Sequence, residues 1–350
     1  METTAYRVGI IGCGRPWKSE GASGFGMGHA HARGYAASPE AALVALADLS
    51  QENARAFQAE HGGERIYQEY REMLAREQLD IVSICTWPHL HAEMVIAAAE
   101  TGVKAIHCEK PMAPTFGEAR RMAAACQQHG AQLTFNHQRR FGKVFQKARQ
   151  LLRSGAIGQL QRMEATCPNL FDWGTHWFDM LFFYNDETPA EWVIGQIELR
   201  GSEKVFGVPV EGQGLSYFQY RNGVQGMLIT RADAPGPWRA INRLTGSDGA
   251  IEVCLGAGPP LRMWGQGQSA WQEVEVPNIE SSDLGDPIRF GILDLIDALK
   301  TGREPELSAR RALQATELIF ATYESSRRRG RVDLPLQIDD SPLIAMLEES

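Results

Sequence analysis

The chain lacks the long apolar runs and the excess of basic residues that point to a membrane or nucleic-acid partner. No apolar stretch among its 350 residues reaches the length of a membrane-spanning helix, so we expect no membrane partner. The formal net charge is −8, whereas phosphate backbones are bound by clustered Lys and Arg, so we expect no nucleic-acid partner either. The dense basic run at 327–331 closes a predicted helix, whose C-terminal end cations stabilise.

Cysteine is also scarce, and its positions follow no pattern of metal ligation. None of the six forms a C-x-x-C pair or falls at metal-ligand spacing from a histidine. They are Cys13, Cys85, Cys108, Cys126, Cys167 and Cys254. Several lie in apolar runs, which is typical of buried reduced thiols. The sequence begins without a signal-peptide pattern, so we expect a cytoplasmic location.

The first part of the sequence alternates between short apolar strands and helices. Strands are predicted at 6–11, 43–47, 81–85, 104–108 and 131–135. Helices are predicted at 29–37, 50–61, 89–101 and 115–129. This alternation predicts an α/β fold with a doubly wound parallel sheet and right-handed crossovers.

After about residue 158 the pattern changes to alternating segments separated by turn residues. Strands are predicted at 161–166, 191–200, 215–220, 226–230, 239–244 and 250–254. Helices are predicted at 177–184, 288–300 and 309–329. Because a chain of 350 residues exceeds one ordinary core, we expect a second, α+β domain built on a mainly antiparallel sheet.

The first strand ends in Gly12-Cys13-Gly14, which begins a dinucleotide fingerprint. In this fingerprint one glycine makes the tight turn, a second lets the backbone approach the pyrophosphate, and a third lets the helix pack closely. Residues 15–27 intervene here, and Gly28 opens the helix in place of the third glycine. We interpret the segment as one fingerprint with an insertion, and we expect Cys13 and Arg15 to be among its cofactor contacts.

Asp48 follows the second strand, 20 residues after Gly28. This is the usual distance to the acid that accepts hydrogen bonds from the ribose hydroxyls. A carboxylate there repels a 2′-phosphate, so NAD is favoured over NADP. The inserted loop contains Trp17 and Lys18, and we hypothesise that it folds over the cofactor or substrate as a lid.

Further motifs follow in a fixed order along the chain. They include Thr86-Trp-Pro-His-Leu-His91, Glu109-Lys110-Pro111, Arg139-Arg140-Phe141, and Asp172-Trp-Gly-Thr-His176-Trp-Phe-Asp179. Together with the glycine turn, they resemble the glucose–fructose oxidoreductase, inositol dehydrogenase and rhizopine-catabolism (Gfo/Idh/MocA) family over nearly the whole length. The chain departs from the family pattern in its insertion at 15–27 and in Trp87, which replaces the usual proline.

The resemblance implies a Rossmann domain, placed at 1–134, and a substrate-binding and oligomerisation domain with an open-faced sheet at 135–350. It implies tightly held NAD(P), a sugar or cyclitol substrate, and a homodimer or homotetramer. It also implies cofactor contacts, which we expect from Thr86, Trp87, His91, Glu109 and Lys110. For Glu109 we favour a role in positioning the cofactor or its loop.

Moving a hydride from a secondary alcohol needs a base for the hydroxyl proton and a group that stabilises the alkoxide. His176 is the candidate base, because its ordinary pKa lies near working pH. Lys110 follows a strand at the edge where ligands bind in such sheets, and its ammonium can hold the reacting oxygen. Asp172, four residues before His176, orients the ring, stabilises the imidazolium or binds a substrate hydroxyl; the other reading is a helix cap beside a core histidine.

Other residues have less specific roles at this stage. Trp173 is expected to contact a sugar face, because it adjoins Asp172. His137 and Arg140 are candidate substrate contacts, with structural hydrogen bonding as the equal alternative. The pairs His29 with His31 and His89 with His91 are spaced i, i+2, which does not place both rings on one helical face, so we expect no metal.

The main hypothesis from the sequence is therefore an NAD(P)-dependent sugar or polyol dehydrogenase, or its reverse, a keto-sugar reductase. One alternative within the same fold is a redox-neutral enzyme that retains NAD and acts on a glycoside through a transient keto-sugar. A second alternative is a non-catalytic nucleotide-binding scaffold, against which Lys110, Asp172 and His176 argue.

Overall fold

The structure is a computed structural model, and it describes residues 5–16, 18–21, 24–201, 203–230, 240–254, 258–277 and 286–349. The chain forms two compact units. The first comprises Met1–Ala113, Glu118–Gln138 and Leu284–Arg310, and the second Pro114–Gly117, Arg139–Asp283 and Arg311–Ser350. The sequence analysis assigned dinucleotide binding to residues 1–134 and substrate binding to residues 135–350. This functional assignment stays a prediction.

The first unit is built on a parallel sheet. Its strands are β1 (Tyr6–Ile11), β2 (Ala41–Ala47), β3 (Arg65–Tyr67), β4 (Ile81–Ile84), β5 (Ala105–Cys108) and β6 (Gln132–Phe135). Among the described residues the order is β3-β2-β1-β4-β5-β6, and every neighbouring pair is parallel. Strands β4 and β5 are buried at every position, as expected for strands covered on both faces. The predicted doubly wound sheet is confirmed.

Helices connect these strands. They are α1 (Met27–Ala36), α2 (Gln51–His61), α3 (Tyr70–Arg76), α4 (Pro88–Glu100) and α5 (Phe116–His129). The cap predicted for α2 is confirmed, because the Ser50 side chain accepts a hydrogen bond from the Asn53 N–H. The sequence analysis missed β3 and α3. Both are short and partly exposed, so their apolar periodicity is weak.

A helix distant in sequence completes the core of the first unit. Helix α8 (Asp286–Thr301) places Ile292, Leu295 and Ile296 in one apolar cluster with Val8 of β1. A Cβ at Gly34 of α1 would lie 2.5 Å from the end of the Ile292 side chain and 3.3 Å from its Cβ, so the two helices pack closely at this glycine. The apolar periodicity predicted α8 but could not show which sheet it covers.

The second unit contains a mixed, mostly antiparallel sheet. Its strands are β7 (Leu160–Cys167), β8 (Ala190–Glu198), β11 (Gln213–Tyr220), β12 (Gln225–Thr230), β13 (Ala240–Gly246), β14 (Gly249–Cys254), β15 (Leu261–Gly265), β16 (Gln272–Glu273) and β17 (Val332–Asp333). In the parts of the chain that the structure describes, the order is β16-β15-β14-β13-β7-β12-β11-β8-β17, with β7 and β12 parallel. A separate hairpin consists of β9 (Glu203–Val205) and β10 (Val208–Val210). The predicted fold class is confirmed.

Helices share one apolar core with the strands of this sheet. They include α6 (Lys143–Arg153), α7 (Gly174–Tyr184), α9 (Ala309–Arg328) and α10 (Pro342–Glu348), and a 3-10 helix (Gln138–Phe141) precedes α6. A Cβ at Gly195 of β8 would lie 2.6 Å from Thr322 of α9, and the hydroxyls of Ser216 and Thr322 are 2.8 Å apart. The sequence analysis missed α6, although its buried Val144, Phe145 and Ala148 have helical spacing. No helix of the described residues has the length and apolar character needed to cross a membrane.

Candidate functional site

The carboxyl ends of the parallel strands place most of the predicted cofactor residues at one edge of the first sheet. Gly12 follows β1, Asp48 follows β2, and Thr86 lies two residues beyond β4. Glu109 and Lys110 follow β5 directly. Because parallel strands end at the same edge, the sheet brings these segments together where ligands bind in open α/β sheets.

The glycine turn has the close backbone contacts that a split fingerprint requires. Gly12 has a φ of 89°, and a Cβ there would lie 2.8 Å from the carbonyl oxygen of Cys85. A Cβ at Gly28 would lie 2.7 Å from the carbonyl oxygen of Gly12. Gly28 therefore performs the close-packing role of the third glycine, although an insertion separates it from the first two.

Asp48 holds this turn through hydrogen bonds. Its Oδ2 accepts from the backbone N–H of Gly14 at 2.9 Å, and its Oδ1 accepts from the N–H of Ser50 at 2.8 Å. Each carboxylate oxygen has a second lone pair, so Asp48 can still accept hydrogen bonds from ribose hydroxyls. The carboxylate is thus held in one orientation by the backbone on both sides.

The side chains of Cys13 and Arg15 point to other groups. The Cys13 thiol is buried against the carbonyl of Ala47, and burial raises its pKa. The Arg15 guanidinium donates to Asn53 Oδ1 and to Glu52 Oε1, both at 3.0 Å. These two residues accordingly present their backbone, rather than a free side chain, to the turn. Trp17 and residues 22–23 lie outside the described residues, as does Trp238, so the lid hypothesis stays a prediction.

The segment after β4 is fixed by a buried histidine. His91 is completely buried, with Nδ1 placed 2.9 Å from the carbonyl oxygen of Pro111 and Nε2 placed 3.1 Å from that of Thr86. The ring therefore links the loops that follow β4 and β5. Trp87 precedes α4 and is exposed, so its indole is accessible at this edge.

Glu109 lies in a buried polar network that the sequence analysis did not foresee. Its Oε1 is 2.9 Å from Nε2 of His31 and accepts a hydrogen bond from Asn136 Nδ2 at 2.7 Å. Burial alone would raise the pKa of Glu109, but the hydrogen bonds and charge of His31, with Asn136 and Lys110, outweigh it and lower the pKa to about 2. The network holds an ionised carboxylate directly before Lys110, which fits a positioning role for Glu109. His137, two residues beyond β6, is buried in the same unit.

In the second unit, the segment before α7 is held rigidly. The Asn169 side chain accepts hydrogen bonds from the N–H groups of Asp172 at 2.7 Å and Trp173 at 3.3 Å. The Leu170 N–H donates to Glu211. Sequence reasoning missed Asn169, although an Asn shortly before a helix is a recognised capping signal.

Asp172 and His176 share this fixed segment. His176 lies in the first turn of α7, which begins at Gly174, three residues before the predicted start. Both side chains are buried, whereas Trp173 is 39% exposed and the guanidinium of Arg139 lies 5.7 Å from its ring centre. The segment therefore combines two buried polar groups with one accessible aromatic face.

Arg140 lies in a buried ion pair. It donates to Asp179 through Nε at 2.8 Å and Nη2 at 2.7 Å, and to Glu187 through Nη1 at 2.6 Å. The sequence analysis gave a substrate contact and a structural role as equal alternatives for Arg140. Because two carboxylates already compensate the guanidinium charge, these contacts favour the structural role.

Comparisons with known proteins agree with this architecture. A family model described as "Oxidoreductase family, NAD-binding Rossmann fold" matches residues 6–137. D-apiose dehydrogenase of Paraburkholderia graminis is 29% identical to this chain, over 97% of it and 92% of the relative. Myo-inositol 2-dehydrogenase of Thermotoga maritima is 28% identical over 44% of this chain and 42% of its own length, so that match spans less than half of the relative.

A solved structure shows the same fold over nearly the full length. Levoglucosan dehydrogenase in complex with NADH and levoglucosan aligns with 95% of this chain and 100% of its own, with a TM-score of 0.78 and 22% sequence identity. At this identity the likeness establishes the fold.

Proposed function

We propose that the chain belongs to the Gfo/Idh/MocA oxidoreductase family and that it is an NAD-dependent dehydrogenase of a sugar, sugar derivative or cyclitol. The reaction moves a hydride between nicotinamide and a secondary hydroxyl or keto carbon. The observation that carries the proposal is the carboxyl edge of the first sheet, where the glycine turn follows β1, Asp48 follows β2 and Lys110 lies two residues beyond β5. The names of the relatives, which act on apiose and myo-inositol, support this substrate class.

The glycine turn fits a dinucleotide. Side chains are excluded at Gly12 and Gly28 by backbone contacts, so the turn can present bare N–H groups and a helix N-terminus to a pyrophosphate. Asp48 accepts from the ribose hydroxyls and disfavours a 2′-phosphate, which supports NAD over NADP. When bound, NAD takes the hydride from the substrate carbon or returns it.

The chemistry assigned to the protein is proton transfer and charge stabilisation. We assign His176 as the base that accepts the hydroxyl proton, and we assign the Lys110 ammonium to stabilising the alkoxide. Asp172 precedes His176 by one helical turn in a segment that Asn169 fixes, which supports a role in orienting the imidazole. Glu109 and His91 position the loop that carries Lys110.

Trp173 and His137 are the proposed substrate contacts that complete this assignment. The accessible indole of Trp173 suits the C–H face of a sugar ring. His137 follows β6 at the same edge as Lys110, which supports a hydrogen bond to a substrate hydroxyl.

We also propose that the protein is a homodimer or homotetramer in the cytoplasm. Partly exposed apolar side chains alternate with buried ones along β8, β11 and β12, and they include Ile194, Leu215 and Met227 on one face of the sheet. A second copy of the same sheet would cover this face. Cys13, Cys85, Cys108, Cys126 and Cys167 are free thiols, which supports a reducing compartment.

A panel of sugars, glycosides and cyclitols, followed by NADH absorbance with NAD and NADP separately, tests the proposal. We expect turnover on at least one secondary alcohol, with a kcat lowered about 10²–10⁴-fold in Lys110→Met and His176→Ala. Lys147→Met and His129→Ala, on the outer sides of α6 and α5, are the matched controls. Unchanged turnover in both site variants would contradict the assignment, and retained cofactor without net turnover would favour redox-neutral chemistry.

A further inference from the structure

Two histidines and a glutamate meet beside the glycine turn, in a cluster that the proposed reaction does not use. His29 lies in the first turn of α1, directly after Gly28, whereas Glu60 and His61 end α2. Nδ1 of His29 is 2.8 Å from Nε2 of His61. The two Glu60 oxygens lie 3.4 Å from the first nitrogen and 3.3 Å from the second.

Hydrogen bonding alone does not satisfy the three groups. If a single proton lies between His29 and His61, the nitrogen that accepts it turns a lone pair toward both its neighbour and the Glu60 carboxylate. If both nitrogens carry protons, they repel each other at 2.8 Å. Each arrangement leaves one unfavourable contact, whereas a single cation at the centre is attracted to all three atoms.

The dimensions and chemistry of the cluster fit a transition-metal ion. A tetrahedral Zn²⁺ with ligands at 2.0–2.2 Å keeps its ligand atoms about 3.3 Å apart. Glu60 presents one oxygen at this spacing to each histidine nitrogen, Oε2 to His29 and Oε1 to His61. The two histidine nitrogens need to separate by only about 0.5 Å. Two imidazoles and one carboxylate form a ligand set that zinc proteins use.

The cluster is buried on the side of the two histidines and is accessible to solvent at Glu60. The side chains of His29 and His61 are 6% and 8% exposed, and that of Glu60 is 50% exposed. The His29 ring also packs against Phe57 of α2, at 4.7 Å between ring centres. An ion can therefore enter past Glu60 and be held against two imidazoles that their neighbours fix in place.

We propose that His29, Glu60 and His61 bind one divalent ion of the zinc class, with water in the fourth position. The ion joins the start of α1 to the end of α2 and so secures Gly28 against the glycine turn. His29 and His61 are 32 positions apart in sequence, and the fold brings them together. Metal binding at this site can be measured without the proposed reaction, so either can be present without the other.

Zinc titration of the tag-free full chain, by competition with a chromophoric chelator, tests the site. We expect one Zn²⁺ per chain with a Kd of about 1 µM or tighter. His61→Gln and Glu60→Gln should weaken binding at least about tenfold, whereas His129→Gln, an exposed histidine at the end of α5, should bind as the natural chain does. Cobalt should give the visible absorption of a tetrahedral site in the natural chain and lose it in the two site variants.

Circular dichroism and thermal unfolding verify that each variant is folded. If His61→Gln does not fold, Glu60→Gln decides, because Glu60 is half-exposed and its replacement preserves the side-chain size. Zinc should also raise the unfolding temperature of the natural chain but not that of Glu60→Gln. The proposal is overturned if the natural chain binds no zinc in this range, or if Glu60→Gln and His61→Gln bind it with unchanged affinity.

Discussion

Gly14 donates its backbone N–H to the Oδ2 carboxylate oxygen of Asp48 over 2.9 Å. The two residues are 34 positions apart in sequence, yet the bond ties the end of the glycine turn to the segment after β2. Through Oδ1 the same carboxylate also accepts from Ser50, which caps α2. Asp48 therefore shapes the turn in addition to its proposed contact with ribose.

Replacing Asp48 with Asn tests its hydrogen bonds to the turn and its proposed contact with ribose together. The amide of Asp48→Asn has one acceptor oxygen instead of two, so the bond to Gly14 or the one to Ser50 is lost together with the negative charge. We expect NAD affinity to fall about 10–100-fold and NADP affinity to fall less, as measured by calorimetric titration. Asp333→Asn, exposed in the second unit, serves as the control. An unchanged NAD to NADP ratio would remove Asp48 from the ribose site.

Gly28→Ala tests the split fingerprint. The new methyl group would lie 2.7 Å from the Gly12 carbonyl oxygen, so α1 must move away from the turn. We expect NAD binding to weaken at least about tenfold and unfolding free energy to fall by about 1–3 kcal/mol. At Gly330 a Cβ meets no atom within 4 Å, so Gly330→Ala should change neither quantity. Normal NAD affinity in Gly28→Ala would show that the turn tolerates a side chain.

The Glu109 network predicts a pH-dependent contribution to stability. The pKa of Glu109 is about 2 in the folded protein against an ordinary 4.5, so the ionised form stabilises the fold above pH 4.5. This contribution, about 3 kcal/mol, is lost as the pH falls from 4.5 toward 2. In urea unfolding at pH 3 to 7, we expect the stability difference between the natural chain and Glu109→Gln to shrink toward acid. A constant difference would argue against the pKa shift, and Glu349→Gln, exposed near the C-terminal end, should show no such trend.

The buried position of Arg140 predicts a large cost for its removal. Arg140→Met removes a buried cation that pairs with Asp179 at 2.7 Å and with Glu187 at 2.6 Å, so unfolding free energy should fall by about 3–5 kcal/mol. Arg153 pairs with Asp186 at the surface, and Arg153→Met should cost less than about 1 kcal/mol. Equal effects in chemical denaturation would mean that the buried pair contributes no more than the exposed one. A fully stable Arg140→Met with impaired turnover would instead restore the substrate role.

The exposed face of the second sheet predicts how the oligomer is broken. Ile194 is 48% exposed in the middle of β8, and Ile194→Lys would place a charge within any interface formed there. In sedimentation equilibrium we expect the natural chain to be a dimer or tetramer and the variant to dissociate at micromolar concentration. Leu49→Lys, an equally apolar exposed position in the first unit, should leave the oligomer unchanged. A monomeric natural chain would refute the proposed assembly.

The element pattern of the first unit could be predicted because each buried strand leaves a continuous apolar run and each helix leaves a cap or glycine signal. Strands β1, β4 and β6 and helices α2 and α5 lie within a few residues of their predicted bounds. The pattern missed β3, α3 and α6, together with the short elements β9, β10, β15, β16, β17 and α10. A three-residue strand carries too few alternations to be detected, and the sequence offered no cap signal for α6.

Local sequence also indicated candidate site residues, because Gly12, Asp48 and Lys110 each follow a predicted strand. Their partners were not indicated. His31 and Asn136 lie far from Glu109 in sequence, and their hydrogen bonds to it arise only when the strands and helices pack. Asn169 bonds to Asp172, three residues further on, so its capping signal was present in the sequence and was missed.

The sequence by itself determined the glycine turn, the alternation of strands and helices in the first unit, and the resemblance to a family, because these depend on spacing and local propensity. Only the tertiary structure decided that Gly28 packs on Gly12, that Arg140 is neutralised by Asp179, and that His29 meets His61 instead of His31. The physical reason is that these contacts join residues far apart in sequence. Their distances are set by how helices pack on sheets and on one another, which no local pattern specifies.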